Sequence, residues 1–129
     1  KTNPYMTCPS GGPLVQHAVV AMFEAHHQGK ISVEKIVEKM CHNPAKIFKI
    51  EKRGFIKEGY YADIAIVNAY LPWNVKKENI LYKCGWSPFE GYNFKSRVTH
   101  TFVNGKLVYH NGKVKDLKVG QRLLFEREI

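Results

Sequence analysis

Apolar residues recur at three- and four-residue spacing from Leu14 through Ala18, Val19, Met22 and Phe23, which predicts a helix with one apolar face. Pro13 suits the first helical position and Gly29 a C-terminal cap, so this helix should run from about Pro13 to Gln28. Ser32 offers an N-cap oxygen to a second helix, in which Val33, Ile36, Val37 and Met40 keep the same period to about Cys41. His42-Asn43-Pro44 interrupts the pattern, and Pro44 restarts a short helical turn carrying Ala45, Ile47 and Phe48. From Gly54 onward the signals are those of strands. Phe55 and Ile56 read as a short one, followed by a turn at Glu58-Gly59. Ala62 to Asn68 is the clearest: Ile64 and Ile66 face one way, Ala65 and Val67 the other, so this strand is expected to be covered on both sides. The stretch from Ala69 to Lys95 is too long for an ordinary connection and should wrap over a surface. A hairpin follows, with Val98 to Val103 turning at Asn104-Gly105 into Lys106 to His110, and Asn111-Gly112 turning again into Lys113-Val114-Lys115. The tail from Asp116 to Ile129 mixes charge with Leu117, Leu123, Leu124 and Phe125 and is expected to dock.

Composition narrows the class. At 129 residues, with 44% hydrophobic and 12% aromatic side chains, the chain can bury one core, which argues against disorder. Its apolar runs fall far short of the roughly 20 residues of a membrane span, so no membrane partner is expected. Cys8, Cys41 and Cys84 are odd in number and widely spaced, unlike a disulfide framework or a Cys-x-x-Cys zinc motif, and point to a reducing, cytoplasmic setting. The net charge is +9, but Lys and Arg are dispersed, as at Lys52-Arg53 and Lys76-Lys77, which argues against a nucleic-acid partner. The opening Lys1-Thr2-Asn3-Pro4 carries no initiator methionine and no secretory h-region, and reads as a segment of something longer.

The candidate chemistry is sparse. Six histidines invite a metal hypothesis, yet no His-x-His, His-x-x-x-His or His-Glu-x-x-His occurs, and the adjacent His26 and His27 would point about 100° apart on a helix. His17 and His42 stand apart from obvious partners, and His100 and His110 flank the hairpin turn without further ligands. No metal ligand and no catalytic residue is therefore assigned within the chain. Asp63, lacking a second carboxylate, reads as a structural hydrogen-bonding group. Pro9-Ser10-Gly11-Gly12-Pro13 is the most suggestive local feature, since glycine lets a ligand approach the backbone and amides before a helix suit a carboxylate or carbonyl oxygen. A plain loop-to-helix junction explains the same residues.

Several segments resemble one family in order. Asn43-Pro44-Ala45-Lys46-Ile47-Phe48, followed by Arg53-Gly54-Phe55-Ile56-Lys57-Glu58-Gly59-Tyr60-Tyr61-Ala62-Asp63-Ile64-Ala65-Ile66-Val67, resembles the end of a cyclic amidohydrolase barrel and its return to a small β domain. Pro9 to His17, Lys83-Cys84-Gly85-Trp86-Ser87-Pro88-Phe89-Glu90-Gly91 and Thr101-Phe102-Val103-Asn104-Gly105 narrow the resemblance to dihydroorotases, with allantoinases and dihydropyrimidinases as neighbours. The resemblance implies an α/β fold: the last helices of a TIM barrel in residues 1–50, then part of a small β-sandwich domain in residues 51–129, with an α+β appearance for the chain seen alone. It also implies a zinc-dependent hydrolase of pyrimidine biosynthesis, opening dihydroorotate reversibly to N-carbamoyl-aspartate. Zinc would be held by residues upstream of Lys1, leaving this segment inactive alone. The substrate-contacting loop maps onto Ser10 and Gly11, acting through their backbone. Gln16 departs from the family, where relatives often carry Glu. The resemblance leaves room for a homo-oligomer, and a basic, non-enzymatic binding module stays open as a rival.

Overall fold

The computed structural model describes residues 11–126, so Ser10 and the rest of the first ten residues lie outside it. Three helices precede an antiparallel sheet, giving a small mixed unit. The first helix, α1, spans Ala18–His27. It begins five residues later than Pro13. Leu14 O accepts from His17 N at 3.0 Å and from Ala18 N at 2.8 Å, so residues 14–17 form a tight turn instead. The helix ends at Gln28, before Gly29 at φ +70°.

Ser32 caps α2, Val33–Val37, accepting from Lys35 N at 3.2 Å as its N-cap position predicts. The helix does not stop at Cys41. A π turn, Glu38–His42, carries it into α3, Asn43–Ile47, with Asn43 N reaching back five residues to Glu38 O. Pro44 has no N–H, and its ring would crowd the carbonyl one ordinary turn earlier; the wider turn supplies the room, so the axis continues.

Phe55 and Ile56 form no strand: Phe55 stacks on His42 with ring centroids 4.3 Å apart, while Ile56 is exposed. Gly54 holds this segment against the helices at φ +79°, and a Cβ there would lie 2.5 Å from Ala45 Cβ and 2.7 Å from Cys41 O. The close approach leaves no room for a side chain.

The main sheet is antiparallel in the order β1-β4-β5-β6, with β1 Ile64–Asn68, β4 Arg97–Val103, β5 Lys106–His110 and β6 Lys113–Val114. Asn104 and Gly105 both take positive φ, 49° and 75°, as a type I′ turn requires, and Asn111 and Gly112 repeat the device at 45° and 87°. Arg53 and Asp63 pair beneath the first turn. Asp63 Oδ1 accepts Asn104 N at 2.8 Å, and Arg53 donates to Asn104 Oδ1 at 3.0 Å while lying over the Tyr61 ring. The strand β1 is not covered on both faces, however: Ala65 and Ile66 are exposed, and among the described residues no second layer lies over them.

The long connection is a strap. Its ends pair as a small ladder, β2 Trp73–Asn74 with β3 Asn93–Phe94. Val75 and Phe94 bury completely against Val20 of α1, forming the core cluster. The tail returns to the helices, with Glu51 N donating to Leu124 O and Glu126 N to Lys49 O, both at 2.9 Å.

Candidate functional site

The turn at 14–17 exists because two neighbouring side chains are claimed by the strap. Gln16 N donates to the Tyr82 hydroxyl at 2.8 Å, Gln16 Nε2 donates to Asn79 O at 2.8 Å, and Gln16 Oε1 accepts Leu81 N at 2.9 Å. A carboxamide can donate and accept at once. A glutamate here could still receive Leu81 N, but it would set an anionic oxygen against the Asn79 carbonyl. The departure at Gln16 therefore has a structural use that the sequence did not reveal.

His17, one residue on, is fully buried. Its imidazole lies nearly parallel to Trp73 and Phe94 at 5.8 and 6.0 Å, in a cluster in which those two rings also meet each other at 5.9 Å, and Tyr82 and Phe89 are steeply inclined to it at 5.6 and 5.8 Å. Nδ1 faces the Ser87 hydroxyl at 3.1 Å and the Tyr82 hydroxyl at 3.3 Å. Both hydroxyl oxygens already accept backbone N–H groups, from Phe89 and from Gln16, so each has its proton free for Nδ1. Nε2 is buried with no partner. In either neutral tautomer, then, one ring nitrogen is satisfied and the other is not. Burial in this aromatic box pulls the imidazole below its ordinary pKa, because desolvation penalises the cation.

The far end of α1 is fixed in the same way. Glu24 Oε1 accepts Lys95 N at 2.6 Å. Ser96 Oγ donates to Ala69 O, so His27 Nε2 is the donor to Ser96 Oγ at 2.9 Å. His26 turns away and donates through Nδ1 to Ile31 O at 3.0 Å. Thus the two adjacent histidines serve different backbone segments. Gly11, where the loop enters the turn, is exposed, and a Cβ on it would meet nothing within 4 Å. Ser10 falls outside the described residues.

Among the described residues no three of His, Cys, Asp and Glu converge on a point that could hold a metal. His100 and His110 are register partners with rings 4.5 Å apart, but a structural or catalytic zinc takes at least three protein ligands and no third stands beside them. The zinc implied by the resemblance does not fit these residues, and no chemical step passes through them. Asp63 is taken up by Arg53 and the Asn104 amide. No described helix is long and apolar enough to cross a membrane. Between the start of α1, the strap and the sheet lies a mostly apolar cavity of about 730 Å³, walled by Val15, Val19, Trp73, Tyr82, Val98 and Tyr109.

Comparison with known proteins adds a family to this geometry. A model of the amidohydrolase family matches residues 8–108. The dihydroorotase of Pyrococcus furiosus is 36% identical over 115 residues, 89% of this chain and 28% of that protein. The dihydroorotase of Endomicrobium trichonymphae is 46% identical over 81 residues, covering 63% of this chain and 19% of that protein. Among solved structures, an L-hydantoinase (dihydropyrimidinase) from Arthrobacter aurescens superposes with a TM-score of 0.74 at 28% identity, over 81% of this chain and 24% of that one. The chain thus spans about a quarter of the length of the relatives it matches.

Proposed function

The chain belongs to the amidohydrolase family, and from that premise we propose that it is the C-terminal part of a dihydroorotase, supplying scaffold and a main-chain wall to a site whose metal is held elsewhere. The observation that carries this reading is the 36% identity to a dihydroorotase over 89% of the chain. Residues 1–50 are assigned to the end of a barrel domain and residues 51–129 to part of a small β domain. The exposed residues of β1 and the apolar cavity beside α1 support the reading of the chain as part of a larger fold, since both leave apolar surface for further polypeptide to cover.

In this reading the substrate is a small cyclic amide. Water adds to the ring carbonyl of dihydroorotate, the C–N bond breaks, and the nitrogen leaves protonated as part of N-carbamoyl-aspartate. Zinc, when bound by the whole enzyme, supplies the activated water. The part assigned to this chain is orientation: the amides of Ser10 and Gly11 donate hydrogen bonds to a substrate oxygen. The anchored turn at Gln16 and His17 fixes the direction in which that loop leaves α1.

The hydantoinase likeness favours one alternative, a cyclic amidohydrolase acting on a hydantoin or dihydropyrimidine ring. Assaying the intact protein on dihydroorotate, allantoin, hydantoin and dihydrouracil separates the two. Dihydroorotate should be turned over with the highest kcat/KM; a clear preference for any of the other three would overturn the assignment.

A further inference from the structure

We propose that His17 is a pH-sensitive pin: as a neutral imidazole it holds the strap of residues 78–89 onto the start of α1, and protonating it releases the strap and loosens the loop at Gly11. Five contacts place it there. Trp73 and Phe94 pack nearly parallel to the ring and against each other, Phe89 adds a steeply inclined ring, and the hydroxyls of Ser87 and Tyr82 converge on Nδ1. Each hydroxyl also receives a backbone amide, so the imidazole completes two small networks that otherwise consist only of loop residues.

A second proton has no place in this box. It would give Nε2 an N–H with no acceptor, or strengthen one already there, and would set a full positive charge in a site without water access. The titratable group facing His17 is Tyr82, from the strap. One layer out, the Arg97 guanidinium lies over the same Trp73 ring, 5.8 Å from its centroid, and adds no negative charge to offset an imidazolium. Among the described residues no carboxylate contacts the ring. The direction follows. A histidine with a depressed folded pKa leaves the folded state holding fewer protons than the open state, so the pin is at full strength above the ordinary value of 6.5 and weakens as pH falls below it.

The link to catalysis rests on the dihydroorotase reading, because that reading gives Gly11 its role; the pin itself does not depend on it. Hydrogen–deuterium exchange on the intact protein tests the pin without any substrate, following peptides that cover residues 78–92 from about pH 7.5 to about pH 5.5 after correction for intrinsic exchange. Protection in the strap should fall by up to about tenfold per pH unit, the limit for one proton, while peptides from β4 hold theirs. In His17→Phe, which keeps an aromatic ring but cannot titrate, strap protection should be flat with pH. Unchanging protection of the wild-type strap, or an equal fall in His17→Phe, would overturn the proposal. Unchanging wild-type protection overturns the pin even where the variant fails to fold.

Discussion

Replacing Gly54 by alanine separates two costs that usually arrive together. Gly54 sits at φ +79°, and a Cβ there would lie 2.5 Å from Ala45 Cβ and 2.7 Å from Cys41 O. The left-handed backbone alone costs an L-residue about 1–2 kcal/mol. Forcing a methyl into a filled space adds about 1–3 kcal/mol, so Gly54→Ala should cost about 2–5 kcal/mol in total. Gly59 is an internal control: its φ is +80°, yet a Cβ there meets nothing within 4 Å, so Gly59→Ala should pay the backbone cost only. Adding Ala45→Gly to Gly54→Ala removes the nearer clash but not the one with Cys41 O, and should recover part of the loss. Urea unfolding of the intact protein reads all three through the midpoint at constant slope. Equal costs at Gly54 and Gly59, or no recovery in the double variant, would refute the idea that the helices and the 53–56 segment are packed to contact.

Gln16→Glu exchanges a donor for a carboxylate oxygen facing Asn79 O; leaving that acceptor unmet should weaken the strap by about 1–3 kcal/mol, read as faster amide exchange at residues 79–82. Asp63→Ala strips the buried Arg53 of its counter-charge and the Asn104 amide of its acceptor. Because Asp63 is one-third exposed, the loss should be about 2 kcal/mol, between an exposed and a buried pair, measurable as a fall in the urea midpoint.

The parts of the fold written in local chemistry were legible. Asn104-Gly105 and Asn111-Gly112 can take the positive φ that two-residue turns need, and both turns stand where the pattern puts them. Ser32 caps its helix because a serine oxygen there meets an otherwise orphaned amide. Features set by distant contacts were not legible. Pro13 is a good first helical residue, but Gln16 and His17 are drawn to a strap more than 60 positions away, and the helix starts only after they are placed. Pro44 reads as a break, whereas a π turn absorbs it. Phe55 has strand character, and a stacking partner at His42 decides otherwise. His17 resembled any isolated histidine, since nothing near it in sequence announces the hydroxyls and rings that enclose it. The resemblance to dihydroorotases pointed to the family that the comparisons bear out, while the roles given to Ser10 and Gly11 remain part of the proposed function.

The central claim is that this chain contributes structure and backbone groups while the catalytic ion is gripped by other parts of the polypeptide. Its most direct test is the zinc content per protomer of the intact protein, measured for the wild type and for a variant carrying Cys41→Ser, Cys84→Ser, His42→Gln, His100→Gln and His110→Gln. These ligand-capable side chains are exposed or half-buried in the structure. Zinc content should be the same in both. A stoichiometric loss in the variant would show that this chain supplies ligands, and would contradict the account.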